Sequence, residues 1–576
     1  MTLKKHQTFF RIAAAVLVLG SVLINVKNIF TSCQIDAEYQ VTMAYRILRG
    51  DKMFSQMWEA HQTSAFFLAF FEWFFLKITG STTGIMIYSN TVGVLCKIAV
   101  ACCVYKTLQK FTDKKMAFAA LIFLLNTYPK DAVLPDFANL QIWFGLLLMC
   151  CLIWFFETKH QRWLVFGAVC LCLQVLGYPS CALIWILCMA LLWMYSRHKM
   201  RDMCIFTGVC GIIGISYLIY FMRGNPRQFL QYLYYIWSGD ESHSIGMSAK
   251  LAFYGQNLVM LASDMKYIMI VVVCSVLAAC ICRRIFKNKV WTARKMLDSV
   301  FSFFLLFYAI GYLIHLPAEQ PTDKYHFFIL YFFVESVAWA GRRYLNASEK
   351  RAFTVGQFVG IGGFAATLIL SDLEIFSSIP YLIPAISVCM LPLGKLYEEN
   401  AESGIDLKYS IPVALLCALM MFRNFIYLNG WMVIPSNFYE DSIIGVNGMA
   451  KYGPLKGIVS IQRTRVADNA YLEWQEMIRD GDHVLIVTYP SINPTVYLYK
   501  DVEICVDSTI STPTYSERLL TYWEENPDKY PNVIAIKGYD GPLEQTGYDV
   551  IYNWLEKEFP DVQPVHGYFW SYYYLE

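Results

Sequence analysis

Two carboxylates separated by a single residue, Asp36 and Glu38, stand in a short polar stretch directly after the first long apolar run of the sequence. A carboxylate can accept a proton from a hydroxyl group and act as a general base. In an extended turn the two carboxylates share one face. If Glu38 instead opens the helix predicted from Val41 to Arg49, it helps to cap that helix. The sequence leaves both arrangements open, beside the plain alternative of a solvated loop.

A second acidic stretch lies at residues 126–139, where Pro135 precedes Asp136. Positively charged or polar side chains that can meet a phosphate occur at several places in the chain. The candidate residues for binding a phosphate are Lys52, His61, Lys130 and the run Lys324-Tyr325-His326. The 126–139 stretch also contains a second acid, Asp131. Each single residue also has an ordinary interpretation, because lysines near helix ends often extend to the membrane surface.

The composition places these residues in a membrane protein. The chain is 57% hydrophobic and 16% charged, whereas soluble domains have about 25% charged residues. Its many long apolar stretches predict a polytopic α-helical membrane protein with about thirteen crossings. Most of the 18 cysteines lie in apolar segments and no C-x-x-C occurs, so neither a zinc site nor a disulfide framework is indicated. Basic residues are not interleaved with aromatics as in nucleic-acid grooves, so nucleic acid is excluded as a partner.

Lysine and arginine concentrate in alternate loops, and the positive-inside rule then predicts a cytoplasmic N-terminus in the plasma membrane. The predicted outer loops are 31–84, 126–139 and 222–266, the last as a mobile acceptor lid.

Residues 63–78 are apolar but carry Glu72 and Lys77, which predicts an aromatic helix lying in the outer interface. Glycines within the helices, Gly356 and Gly360 and the run Gly208, Gly211 and Gly214, predict close helix packing.

The transmembrane part is predicted to occupy residues 1–428, followed by a small extracytoplasmic α/β domain at residues 429–576. Its expected strands follow Asp480 and Asn532, where polar turns run into short apolar stretches. Helices are predicted at 515–526 and 548–559. No catalytic motif is recognisable in this segment.

The charged loop after the first helix, the Gly50-Asp51 turn, the aromatic interfacial helix and the second acidic outer loop together resemble the GT-C superfamily of polyprenyl-phosphate-sugar glycosyltransferases. The likeness is greatest to the protein mannosyltransferase and aminoarabinose transferase branch, which has an Asp or Asp-Glu at the start of the first outer loop. It covers the chain to about residue 428. The present sequence departs from the common adjacent acidic pair, because Ala37 separates Asp36 from Glu38.

This resemblance implies an inverting glycosyltransferase that moves a sugar from a polyprenyl-phosphate donor to an extracytoplasmic glycan, lipid or protein. Asp36 matches the family's catalytic aspartate, which orients or deprotonates the acceptor hydroxyl, and Glu38 stands beside it. An acid of the second outer loop matches a substrate-binding position; Asp131 and Asp136 both qualify, and Pro135 favours Asp136. No cofactor or metal site is implied, although a D-x-E pair can also ligate a divalent cation through its oxygens.

Two other classes remain as alternatives. A transporter or flippase of lipid-linked glycans would need charges buried in the membrane and repeated halves. Lys97 and Arg423 are candidate buried cations, but no inverted repeat is recognisable. A non-catalytic envelope assembly protein would tolerate changes at Asp36 and Glu38. Neither a P-loop, nor a zinc-binding helix with two histidines, nor a Gly-x-Ser-x-Gly elbow occurs in the sequence.

Overall fold

The computed structural model describes residues 2–127, 132–222, 226–238, 247–286, 291–315, 323–371, 373–401, 448–460, 463–487, 494–509, 517–537 and 548–575. Its first 401 residues are mainly helical. The helices are α1 (Thr2–Thr31), α2 (Ile35–Arg49), α3 (Gln62–Thr79), α4 (Ile85–Leu108), α5 (Lys114–Asn126), α6 (Phe137–Thr158), α7 (Gln161–Gly177), α8 (Ile184–Tyr195), α9 (Lys199–Met222), α10 (Pro226–Ser238), α11 (Met247–Ile285), α12 (Ala293–His315), α13 (Asp323–Gly341), α14 (Ala347–Leu370) and α15 (Ile383–Ala401).

Within the described residues, six helices are long and apolar enough to cross a membrane, namely α1, α4, α6, α9, α14 and the helix that contains α15. The protein is therefore an integral membrane protein. The chain turns between α7 and α8, since α7 ends at Gly177 and a short 3-10 helix, Pro179–Leu183, leads into α8. The last of the thirteen crossings that the apolar stretches predict, at 409–428, lies outside the described residues.

The segment expected to form the long outer loop at 222–266 is helical wherever it is described, in α10 and the first half of α11. Polar residues interrupt the apolar pattern of α11, so the sequence of this segment resembles that of a loop. In the fold they bond to the end of α14: Lys250 Nζ donates to the Ile369 carbonyl at 3.2 Å, and Tyr254 Oη donates to the Leu368 carbonyl at 2.7 Å. These side chains bind a neighbouring helix instead of solvent.

Close packing of α14 on α15 depends on the glycines predicted for it. A Cβ atom added at Gly356 would lie 2.4 Å from a methyl carbon of Val388, and one added at Gly360 would lie 2.5 Å from the Ala385 nitrogen. The prediction was wrong for Gly208, Gly211 and Gly214 of α9, because a Cβ there meets nothing within 4 Å. That helix presents mostly exposed apolar residues.

The C-terminal segment contains a small mixed sheet. The strands of the C-terminal segment are β1 (Gly448–Met449), β2 (Val459–Ser460), β3 (His483–Val487), β4 (Glu503–Ile504), β5 (Val533–Lys537), β6 (Val565–His566) and β7 (Trp570–Tyr574). The helices of this segment are α16 (Arg463–Met477), α17 (Glu517–Glu525) and α18 (Tyr548–Glu558). Strands β4, β3 and β5 are parallel neighbours, and β7 joins β5 antiparallel, followed by β6. β1 and β2 form a separate hairpin. Strands β3 and β5 and helices α17 and α18 occupy the places that the sequence predicts.

One hydrophobic core joins this sheet to the first outer loop. Buried residues of the central strands, such as Val484 and Ile534, belong to the same cluster as Tyr39 and Met43 of α2 and Trp58 of the loop that follows. The sheet and the loop between α1 and α4 therefore share their interior.

We expect Gly360→Ala to separate α14 from α15, because the new methyl group would overlap the Ala385 backbone. Overpacking of this kind costs about 1–3 kcal/mol. The control is Gly211→Ala, where the space is open and an alanine in a helix is favoured over glycine by roughly 0.5–1 kcal/mol. The midpoint of thermal aggregation of the purified protein should fall for the first variant and not for the second. Equal midpoints would contradict the packing argument.

Candidate active site

Helix α2 carries both acids of the first outer loop in its first turn. The helix begins at Ile35 instead of the expected Val41, after Gln34 in an extended conformation, and ends where Gly50 adopts a φ of 106°. Asp36 is half-buried and Glu38 is 1% exposed. Residues two apart on a helix point in different directions, so the shared face expected of an extended turn does not form.

The face of α2 that carries Asp36 is turned toward the second outer loop. Gln40, one turn further along that face, donates from Nε2 to the Pro135 carbonyl at 3.4 Å and accepts from Ser64 Oγ at 3.0 Å. These bonds place the first turn of α2 beside the residue that precedes Asp136. The two acidic loops are therefore neighbours.

Asp136 is fully buried and caps the first turn of α6. Its Oδ1 accepts a hydrogen bond from the Asn139 backbone nitrogen at 2.8 Å. Asn139 in turn donates from Nδ2 to the Ala132 and Leu134 carbonyls, both at 3.0 Å, which fixes the loop that leads into the helix. The carboxylate is held at the positive end of a helix dipole, where negative charge is favoured.

Tyr381, in the 3-10 helix Phe376–Leu382 ahead of α15, lies in the neighbourhood of both acids. It is 4% exposed, and its side chain lies within electrostatic range of Tyr178, Asp136 and Asp36. Four elements thus meet at one place: the start of α2, the start of α6, the turn after α7 and the turn before α15. Neither tyrosine belongs to a sequence motif, and sequence analysis did not identify them as site residues.

His61 lies against the same cluster in an uncommon backbone conformation. Its φ is 58° and it precedes α3, with its carbonyl accepting from Ser64 Oγ at 2.7 Å. Its ring stacks on Phe137 at 4.0 Å between centroids and on Tyr178 at 5.2 Å. A left-handed conformation in a residue with a side chain carries strain, which is typical of functional sites. His61 therefore lies next to the residue that follows Asp136.

Glu38 makes a different set of contacts from those of Asp36. Its Oε1 accepts from Cys33 Sγ at 3.2 Å, and its Oε2 accepts from Thr495 Oγ1 at 2.9 Å. Thr495 belongs to the 3-10 helix Pro494–Leu498 of the C-terminal segment and is fully buried. Glu38 therefore ties the first turn of α2 to the C-terminal segment.

The other candidates are not gathered at this place. Lys52 is exposed and follows the C-terminal end of α2, about 20 Å along the helix from Asp36. Lys130 and Asp131 lie outside the described residues. Lys324, Tyr325 and His326 lie in the first turn of α13, where the structure describes only the backbone. Within the described part of the chain, no three His, Cys, Asp or Glu side chains group as metal ligands would.

A buried ion cluster holds the other end of α2. The guanidinium of Arg46 donates to Asp51 and Glu59, both at 2.7 Å, and to the Gln56 carbonyl at 2.6 Å. Tyr522 of α17 donates to the same Gln56 carbonyl at 2.8 Å. Burial alone would lower the pKa of Arg46, but Asp51 and Glu59 raise it, so the guanidinium stays charged.

The C-terminal segment completes this cluster. Lys529 Nζ lies 2.5 Å from an Asp51 oxygen and 3.0 Å from Glu503, while Thr509 Oγ1 donates to Glu59 at 3.1 Å. Burial raises the pKa of Glu59, and its bonds to Arg46 and Thr509 oppose that shift. We call this set, Arg46, Asp51, Glu59, Thr509 and Lys529, the ion latch.

We expect Arg46→Met to destabilise the junction between the first outer loop and the C-terminal segment. The variant leaves Glu59 buried without its cation and Asp51 with Lys529 alone, and breaking a buried pair costs about 3–5 kcal/mol. Arg49→Met is the matched control, because Arg49 is one-third exposed and its pairs with Asp501 and Glu503 are worth about 0–1 kcal/mol. Thermal midpoints and the rate of trypsin cleavage in the C-terminal segment measure the difference. Equal effects of the two substitutions would show that the latch does not join the two parts.

No protein-family model and no curated protein sequence matches the chain. Among solved structures, it is similar to ArnT from Cupriavidus metallidurans in the apo state, with 12% identity, 97% of this chain and 98% of that chain covered, and a TM-score of 0.39. The same protein bound to undecaprenyl phosphate gives 12% identity, 96% and 97% coverage and a TM-score of 0.37. The archaeal oligosaccharyltransferase AglB from Archaeoglobus fulgidus, in complex with an inhibitory peptide and a dolichol-phosphate, gives 10% identity, 95% and 71% coverage and a TM-score of 0.43.

Proposed function

We propose that this protein is a membrane glycosyltransferase that moves a sugar from a polyprenyl-phosphate donor to an acceptor outside the cytoplasm, with inversion at the anomeric carbon. The observation that carries the proposal is the meeting of Asp36 and Asp136, from two separate loops, beside Tyr178 and Tyr381 at one end of the membrane helices. Two acids brought to a membrane edge by different loops are expensive to maintain there, and a catalytic role explains them.

Asp36 is proposed as the general base. Its half-buried position leaves it accessible to an acceptor, whereas Asp136 is fully buried. In the reaction the acceptor oxygen forms a bond to the anomeric carbon as its proton passes to the Asp36 carboxylate. The bond between the anomeric carbon and the phosphate oxygen breaks, and the polyprenyl phosphate leaves with the bonding electrons. Asp136 is proposed to assist substrate binding through its negative charge at the start of α6, because its carboxylate is fully buried.

The donor phosphate needs cationic or hydrogen-bonding partners close to these acids. Among the described candidates, His61 is the one that lies at this cluster, because its ring stacks on Tyr178 and on Phe137, the residue after Asp136. Lys130 and the run Lys324-Tyr325-His326 belong to neighbouring predicted outer loops and are proposed as further donor-binding residues. Lys52 stands at the far end of α2 and would contact an extended donor or acceptor instead of the reacting phosphate.

Glu38 is proposed as a positioning residue for Asp36. Its bonds to Cys33 and Thr495 fix the first turn of α2 from the side opposite the second outer loop. If the reaction uses a divalent cation, Asp36 and Asp136 would be the residues to hold it through their carboxylate oxygens, because hard cations prefer such ligands.

The proposed arrangement in the plasma membrane follows the charge pattern of the loops. About thirteen crossings leave the N-terminus in the cytoplasm and the loops that carry the two acids outside. The C-terminal segment shares a core with the first outer loop, so it lies on the same side as the candidate site. Activated sugars reach that side on lipid carriers, and the acceptor would be a glycan, lipid or protein of the envelope.

We expect Asp36→Asn to lower transfer by about 10²–10⁴-fold, because the amide cannot take up the acceptor proton. The measurement is the formation of polyprenyl phosphate when the protein in nanodiscs is supplied with lipid-linked sugars extracted from its own membranes. The control is Asp113→Asn. Asp113 caps α5 at the opposite end of the helices, and asparagine caps as well as aspartate. Wild-type turnover in Asp36→Asn would exclude Asp36 as the base.

The two roles of Asp136 can be separated by a pair of substitutions. Asp136→Asn keeps the cap on α6 and removes the charge, so stability should be unchanged while turnover falls. Asp136→Ala also removes the cap, which costs about 1 kcal/mol. Thermal midpoints and polyprenyl phosphate formation are measured on both variants. If only the alanine variant loses activity, Asp136 is a helix cap and nothing more.

A further inference from the structure

The hairpin of β1 and β2, residues 448–460, is attached to the end of a membrane-spanning helix. The backbone nitrogen of Gly84 donates to the Gly453 carbonyl at 3.0 Å, and that of Met86 donates to the Pro454 carbonyl at 3.3 Å. Gly457 packs on Ile87 so closely that an added Cβ would lie 2.5 Å from the Ile87 Cδ1 atom. Because α4 starts at Ile85, these contacts hold the tip of the 448–460 hairpin at the level where the helix enters the membrane.

The hairpin also contacts α1, whose outer surface is apolar. Strand β2 packs against α1. Val26 and Phe30, in the last turns of that helix, are 45% and 39% exposed. Exposed apolar residues on a membrane-spanning helix face lipid. The hairpin therefore continues a surface that already faces the bilayer.

The side chains that the hairpin exposes suit a lipid headgroup layer. Lys451 and Lys456 are exposed, Tyr452 is 43% exposed and Met449 is 55% exposed, whereas Leu455 is buried. Tyrosine is enriched at membrane interfaces, and lysine stems lie along apolar surface while the ammonium group reaches the headgroups. The two lysines would attract anionic headgroups, and the tyrosine and methionine suit the apolar region next to them.

The hairpin presents these groups in a fixed arrangement. The Asp468 Oδ1 atom accepts hydrogen bonds from the backbone nitrogens of Lys451 at 2.8 Å and Tyr452 at 3.3 Å. The ring of Tyr452 stacks on Tyr471 with centroids 5.8 Å apart and planes 9° apart. The turn is therefore held by α16, and little ordering is needed when a headgroup binds.

We propose that the 448–460 hairpin is a membrane anchor of the C-terminal segment that binds anionic lipid headgroups, in the leaflet on the side of the candidate site, through Lys451, Lys456 and Tyr452. The anchor does not depend on the proposed transferase activity. Its occupant is the bilayer itself, because the hairpin is hydrogen-bonded to the start of α4 and packs against α1, and its exposed side chains extend the lipid-facing surface of these helices.

The test is photo-crosslinking of the full chain in nanodiscs. A benzophenone amino acid replaces Tyr452, and adduct formation with phosphatidylglycerol is compared with adduct formation with phosphatidylcholine by mass spectrometry. We expect adducts with lipid, about tenfold or more abundant with the anionic lipid. The double substitution Lys451→Glu, Lys456→Glu should reduce the adducts in phosphatidylglycerol to the level seen in phosphatidylcholine.

Two controls separate this result from general lipid contact and from misfolding. The same crosslinker at Asp480, an exposed turn residue next to Asp501 near the C-terminal end of α2, should give no adduct. The thermal midpoint of the double variant should equal that of the unsubstituted chain. The absence of lipid adducts at position 452, equal adducts in both lipids, or equal adducts at 452 and 480 would each overturn the proposal.

Discussion

A guanidinium group removed from water is tolerated only when its charge and its donors are all matched, and Arg46 is fully buried. Its partners come from the turn after α2, from the loop before α3 and, through Tyr522, from a helix 476 residues further along the chain. Lys529 completes the balance by pairing with Asp51. Because no single part supplies the whole set, the first outer loop and the C-terminal segment must form their junction together.

That junction gives two faces of α2 different contacts. Glu38 and Arg46 hold the helix to the C-terminal segment at its two ends, whereas Asp36 and Gln40 are turned toward the second outer loop. A carboxylate that accepts a proton works best when its position varies little, since small displacements of a catalytic group cost much of its effect. The bonds of Glu38 thus serve the acid two residues before it, and the alternation of roles along one helix turn follows from the helical geometry.

The sequence predicted the two acidic loops and their common side of the membrane, because charge in an apolar chain is conspicuous and loop topology follows from Lys and Arg. It did not predict the start of α2. Asp36 and Glu38 resemble loop residues in sequence, yet acids in a first turn are favoured by the helix dipole. Nor could it predict Tyr381, whose place depends on how distant helices pack. Lys250 was interpreted as part of a loop because its partner, the Ile369 carbonyl, is contributed by another helix.

Two attachments of different kind fix the C-terminal segment, and the candidate site lies between them. The 448–460 hairpin bonds to the end of α4 through backbone groups of Gly84 and Met86, and the ion latch bonds to α2 through charged side chains. The hairpin attachment is made to a membrane-spanning helix, and the latch is made to the helix that carries Asp36. A displacement of the segment relative to α4 would therefore be passed to the first turn of α2 through Thr495 and Glu38. The position of Asp36 therefore depends on how the C-terminal segment is attached both to α4 and to α2.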